Sequence, residues 1–141
     1  LYIGIYWNNH HHMLHATRRV DGRVLWANLH LLFWLSLMPF ATAFMGENDF
    51  APVTVALYAF DLFMCAISYT LLVMALLAVH GRDSAFARAL GSDTKGKISI
   101  LFYVLSIPLA FLAPLAALIC IGFVALMWII PDRRFARTGE S

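Results

Sequence analysis

"ISILFYVLSIPLAFLAPLAALICIGFVALMWII", residues 98 to 130, is the stretch on which the fold turns. Its 33 residues carry no charge, and as a single α-helix they would reach about 50 Å, far beyond the roughly 30 Å hydrocarbon core of a bilayer. Two shorter helices resolve the excess. Lys95 and Lys97 precede the run, and Arg133, Arg134 and Arg137 follow it. The tendency of basic residues to stay cytoplasmic therefore puts both ends on one side of the membrane. The run reads as a helical hairpin that reverses near "LAPLA", where Pro114 and its small neighbours favour a tight turn and Pro108 bends the first arm.

The rest of the chain follows the same pattern. It has 141 residues, is 62% hydrophobic and only 13% charged, and has a mean hydropathy of +0.76, whereas soluble domains carry about a quarter charged residues. The fold class is all-α, a polytopic helical bundle in a lipid bilayer. Spans are expected over about 1–17, 24–45, 52–80, 98–112 and 114–131. Pro52 suits the first turn of the third span, where its missing amide hydrogen costs nothing. With this assignment all 10 Lys and Arg lie on the cytoplasmic side, the C-terminus included. The opposite connections hold the acidic "GENDF", with Glu47 and Asp49, and the uncharged "LAPLA".

Five spans with the first running inward leave the chain one helix short of a cytoplasmic N-terminus, and Leu1 stands in the middle of an apolar run. The expectation is a single transmembrane domain, N-terminally incomplete, with five visible spans of a six-helix subunit that lacks its first helix. No basic n-region or small-residue cleavage pattern precedes the histidines, so the start is not a signal peptide. "RDSAFARALGSDTKGK", residues 82 to 97, reads as a connection with a short interfacial helix capped by Ser84. Cys65 and Cys120 lack metal-ligand or disulfide spacing and read as small buried hydrophobes. A net charge of +2 gives no argument for nucleic acid.

Polar groups inside the spans carry the functional question, because each needs a partner or water. "GIYWNNHHHMLHATRRVD", residues 4 to 21, packs four histidines into six positions. Trp7, His11, His15 and Arg18 share one helix face by their spacing. His11 and His15 stand at the i, i+4 spacing of a zinc pair, but no carboxylate or thiolate joins them and the basic end repels a dication. A haem held by His11 or His15 with His30 lacks the small residues that make room for a macrocycle. The third reading is a hydrogen-bonding hub in which imidazoles, Asn8 or Asn9, Asn28 and the indoles of Trp7 and Trp26 link helices, each bond contributing about 0.6–2 kcal/mol in membranes. Asp61 sits a third of the way along its span and is expected to be a satisfied carboxyl at a packing interface, with an ion pathway as the alternative. Pro39 frees a backbone carbonyl and bends its helix, while Thr42 back-bonds to the carbonyl at position 38. No nucleophile, metal triad or phosphate loop faces one side of the membrane, so an enzyme is not expected.

The stretch Gly4 to Gly46 resembles the prokaryotic branch of the transmembrane protein 175 family of potassium-permeable channels. The matching elements are Tyr6, Trp7, Asn9, His10 and His11, then Asp21, Asn28, and Leu37, Pro39, Phe40 and Thr42 of the proline motif. Pro114, Trp128, Pro131 and Asp132 match at the C-terminal end. The resemblance implies a homotetramer of six-helix subunits in the bacterial inner membrane, a central pore for potassium and other monovalent cations, and no catalysis or cofactor. It further implies an apolar constriction supplied by a first helix with an arginine and a Phe-Ser-Asp motif, which this sequence lacks. Trp7, Asn9, His10, His11 and Asn28 then become the polar hub that holds the pore helix, with His15, Pro39 and Asp61 as candidates for gating or the ion pathway. Histidines near neutrality would also let opening respond to pH. The competing classes are a metal or proton-coupled transporter, sensitive to His11 or Asp61, and a non-conducting membrane assembly protein.

Overall fold

A computed structural model of the chain describes residues 1–15, 17, 19–82, 84–90 and 93–129, the side chains at 85 and 89 excepted. Arg18, Pro131, Asp132, Arg133, Arg134 and Arg137, which entered the topology or the resemblance, lie outside these residues. The described chain forms six helices: α1 Tyr2–His15, α2 Gly22–Glu47, α3 Pro52–His80, α4 Ala85–Leu90, α5 Thr94–Leu112 and α6 Pro114–Ile129. Three of them, α2, α3 and α5, are long and apolar enough to cross a membrane, and α6 is a shorter apolar helix.

Helix ends follow local chemistry rather than hydropathy. Asp21 starts α2 before its apolar run, because its Oδ1 accepts the amide hydrogen of Val24 at 2.9 Å. Asp93 does the same for α5 by accepting from the amide of Gly96 at 3.1 Å, which draws Lys95 and Lys97 into the first turn. A Cβ at position 96 would lie 2.8 Å from Asp93 Cγ, so the cap closes tightly only over glycine. Ser84 caps α4 through the amide of Ala87 at 3.1 Å.

The uncharged run breaks at one residue. Ala113 adopts φ −154° and ψ 88° and donates its amide to the Leu109 carbonyl at 2.7 Å, ending α5, and Pro114 opens α6. A residue before proline is pushed out of the helical region, and proline itself is preorganised for a first helical position. The "GENDF" turn closes α2 differently. Asp49 and Phe50 take left-handed φ values of 49° and 55°, and the Phe50 amide reaches back to the Met45 carbonyl at 3.1 Å.

α3 is the central helix. It packs along α2 on one side and α5 on the other, α6 lies against α5, and α1 reaches α6. Val55, Leu62, Cys65, Leu72 and Leu76 of α3 are fully buried. The outward faces are apolar as well, with Leu25, Trp26 and Leu29 on α2, Leu101 and Leu105 on α5, and Leu115 and Ile119 on α6 exposed. An apolar outside over a helical bundle suits lipid, where every backbone polar group must be paired within its own helix.

Candidate functional site

The polar residues of α1 separate by helix face. His10 crosses to α2: its Nε2 lies 2.5 Å from Asn28 Oδ1. An amide oxygen only accepts, so Nε2 carries the hydrogen, and the Nδ1 side of the ring plays no part in the bond. Asn9, one residue earlier, turns about 100° away and donates instead to the Ile5 carbonyl of its own helix at 2.8 Å. Trp7, His11 and His15 form a ladder on the exposed side, with ring centroids 5.4 Å apart between Trp7 and His11 and 5.7 Å between His11 and His15. Trp7 is 64% exposed, and Trp26 on α2 also points outward. Of the five hub residues, the structure joins His10 and Asn28 and leaves Trp7, Asn9 and His11 off that contact.

A second polar joint, centred on His30, is not one of those sequence-read candidates. Trp34 Nε1 donates to His30 Nε2 at 3.2 Å, His30 Nδ1 lies 2.8 Å from Ser68 Oγ, and Ser68 Oγ donates to the Met64 carbonyl at 2.6 Å. The donors run in one direction. Nε2 must accept, so Nδ1 carries the hydrogen and gives it to Ser68, whose own hydrogen is committed to Met64. This chain ties α2 to α3 inside the bundle, with Ser68 fully buried. Both nitrogens of His30 are used, which removes it as an axial ligand. Among the described residues no three His, Cys, Asp or Glu side chains come together to hold a metal ion. The i, i+4 spacing of His30 and Trp34 was a visible signal; Ser68, 38 residues away, was not.

Asp61 departs from expectation. The residue is 5% exposed, as a packing interface requires, but neither carboxyl oxygen has a hydrogen-bond partner among the described residues. A satisfied carboxyl is therefore not what the structure shows: burial removes its water, and no side chain of the described residues replaces that water with a hydrogen bond. Pro39 stands inside α2, and Thr42 Oγ1 donates to the Met38 carbonyl at 2.7 Å. Cys65 and Cys120 are free thiols, the first buried.

Aromatic rings fill the space among α1, α3, α5 and α6. Tyr2 packs edge-on to Tyr58 and Tyr103, each at 6.4 Å, and its hydroxyl donates to the Ile121 carbonyl. Tyr6 meets Tyr69 at 6.3 Å, Tyr69 meets Trp128 at 6.1 Å, and Trp128 Nε1 donates to Ser99 Oγ at 2.8 Å. Beside this column lies a small cavity lined by Tyr6, Asn9, Tyr69, Ser99, Tyr103 and Trp128. The Lys95 ammonium sits 5.7 Å from the Trp128 ring centroid, a cation–π contact at the lysine-bearing start of α5.

Comparison with known proteins bears on this arrangement. Residues 1–39 match a family model described as the endosomal/lysosomal potassium channel TMEM175. The chain is 48% identical over 138 residues to a potassium channel of Chryseobacterium sp. (strain P1-3), an alignment that covers 98% of this chain and 72% of that protein. It is 27% identical over 135 residues to a potassium channel of Streptomyces collinus (strain DSM 40733 / Tue 365), covering 91% of this chain and 66% of that one. No solved structure matches the chain.

Proposed function

Since the chain belongs to the TMEM175 family of potassium channels, we propose that it is one subunit of a homotetramer that conducts potassium and other monovalent cations passively along a central pore. It is a multi-pass membrane protein and not an enzyme. The constriction in this reading is apolar and is the one the family resemblance implies, from a helix with an arginine and a Phe-Ser-Asp motif. The setting is the bacterial inner membrane, with the C-terminus cytoplasmic. The observation that carries the reading is the 48% identity, spread over 138 residues rather than confined to one motif.

Trp7, Asn9, His10, His11 and Asn28 position the pore helix. The His10 to Asn28 bond anchors α1 to α2, and the Trp7–His11–His15 ladder is stacked and exposed, which supports its use in this reading as the face that meets the pore helix. A hydrophobic constriction conducts when it stays wetted and blocks when it dries, so the placement of the helix that lines it decides the current. His15, Pro39 and Asp61 act in gating or along the ion pathway.

The test is potassium and sodium flux from liposomes carrying the complete reading frame. Selective flux that proceeds without a proton or metal gradient is the expected result. Flux that requires such a gradient would make the protein a coupled transporter, and no flux would make it an assembly protein.

A further inference from the structure

Asp61 and the Pro39 break of α2 stand at the same level of the bundle. Three contacts set the register of the antiparallel pair α2 and α3: Ser68 on His30, Phe60 on Trp34 with ring centroids 5.9 Å apart, and Tyr58 against Thr42. Asp61 precedes Ser68 by one heptad, which rotates it only about 20° from the side of α3 that meets His30. Between those contacts it comes level with the turn Leu35–Pro39. Proline has no amide hydrogen, so the Leu35 carbonyl lacks the donor that position 39 would supply. Thr42 does not replace it, because its hydroxyl goes to Met38.

Acceptors thus stand at this level, and no hydroxyl, thiol or amide of the described residues hydrogen-bonds the carboxyl. Both Asp61 oxygens are buried without a partner among the described residues. The titratable groups that face Asp61 are Tyr6 from α1, and Tyr58 and Cys65 from α3 itself. No charged group of the described residues on α2, α5 or α6 acts on it. A bare carboxylate there has no hydrogen bond from the described residues to offset its lost hydration. A proton is the one cation that needs no cavity.

We propose that Asp61 is a proton-binding site whose neutral carboxyl donates its hydrogen to the Leu35 carbonyl and so joins α3 to α2 at the proline break. The proton is taken from water and returned to it. Loss of the proton leaves two facing acceptors and releases the joint. This inference deepens the gating role given above to Asp61 and Pro39, and it rests on that reading.

Infrared difference spectroscopy of the full-length protein in lipid vesicles tests it. The expected result is a carboxylic acid C=O band at pH 7 that disappears in Asp61→Asn and shifts in Pro39→Ala, where a new amide occupies the Leu35 carbonyl. Asn keeps the shape and retains a hydrogen donor, so the first variant should fold and carries the test even where the second does not assemble. No Asp61-dependent acid band at pH 7 overturns the proposal, as does a band that stays unshifted in a folded Pro39→Ala. A signal that responds to potassium at fixed pH rather than to protons would assign a metal cation to the site instead. The readout is vibrational, so its failure removes the proton site alone, whereas absence of potassium flux in the unaltered protein removes the channel reading.

Discussion

Two histidine joints in this molecule use the same side chain in opposite ways. His10 on α1 gives a hydrogen to Asn28 through Nε2, and a proton added at its other nitrogen leaves that bond in place. His30 on α2 must accept from Trp34 at Nε2 while it gives to Ser68 at Nδ1, and a proton added at Nε2 ejects the indole. The first joint tolerates a change of charge. The second is locked to one neutral tautomer by a one-way chain of donors ending at the Met64 carbonyl. The difference follows from the partners: an amide oxygen only accepts, whereas an indole only donates.

The lock on α2 and α3 should therefore be the larger contributor to stability. His30→Ala removes both bonds and leaves the Trp34 indole without its acceptor, and a loss of about 2 kcal/mol is expected in reversible unfolding from mixed micelles. Nitrogen-15 resonances of the two rings sharpen the contrast without a mutation: His30 should report hydrogen on Nδ1 and His10 on Nε2. The same tautomer at both sites would break it.

A second one-way chain offers a control with no histidine in it. Trp128 donates to Ser99, and Ser99 donates to the Lys95 carbonyl at 2.8 Å, between α6 and α5. Ser99→Ala should cost about 1 kcal/mol, since one partly buried indole hydrogen loses its acceptor. An effect as large as that of His30→Ala would show that the indole, not the imidazole, governs both joints.

Sequence and structure agree best where chemistry is local. The hairpin break at Ala113 is written in the proline after it, the cap at Ser84 in its own hydroxyl, and the Thr42 back-bond in a four-residue spacing. Contacts between helices are less legible, because they depend on register. Asn9 and His10 are adjacent and equally polar, but a rotation of about 100° sends one to its own backbone and the other to α2. Ser68 meets His30 only because α2 and α3 pair at one register, which neither helix specifies alone. Asp61 is the limiting case. Its burial was expected from its place in the span, and the absence of a hydrogen bond to it among the described residues became visible only with the neighbouring helices in position.

The tolerant joint should yield smaller numbers. Asn28→Ala removes the acceptor of His10 on a half-buried surface, and about 0.6 kcal/mol is expected, in line with polar contacts between membrane helices. Its signature is position rather than stability: α1 should pivot on α2, detectable as a changed distance between spin labels on the two helices. An unchanged distance would mean that the tyrosine contacts alone place α1.

The smallest effect on stability belongs to the ladder that neither joint includes. His11 stacks on Trp7 and His15 along an exposed face, so His11→Ala should alter unfolding by less than about 0.5 kcal/mol. If the ladder positions the pore helix as proposed, its effect on conduction should be far larger than that figure suggests. Flux and unfolding measured on the same preparation separate the two possibilities. Normal stability with reduced potassium flux assigns the ladder to positioning of the pore helix. Normal stability with normal flux returns the ladder to the lipid-facing surface and confines the hub to His10 and Asn28.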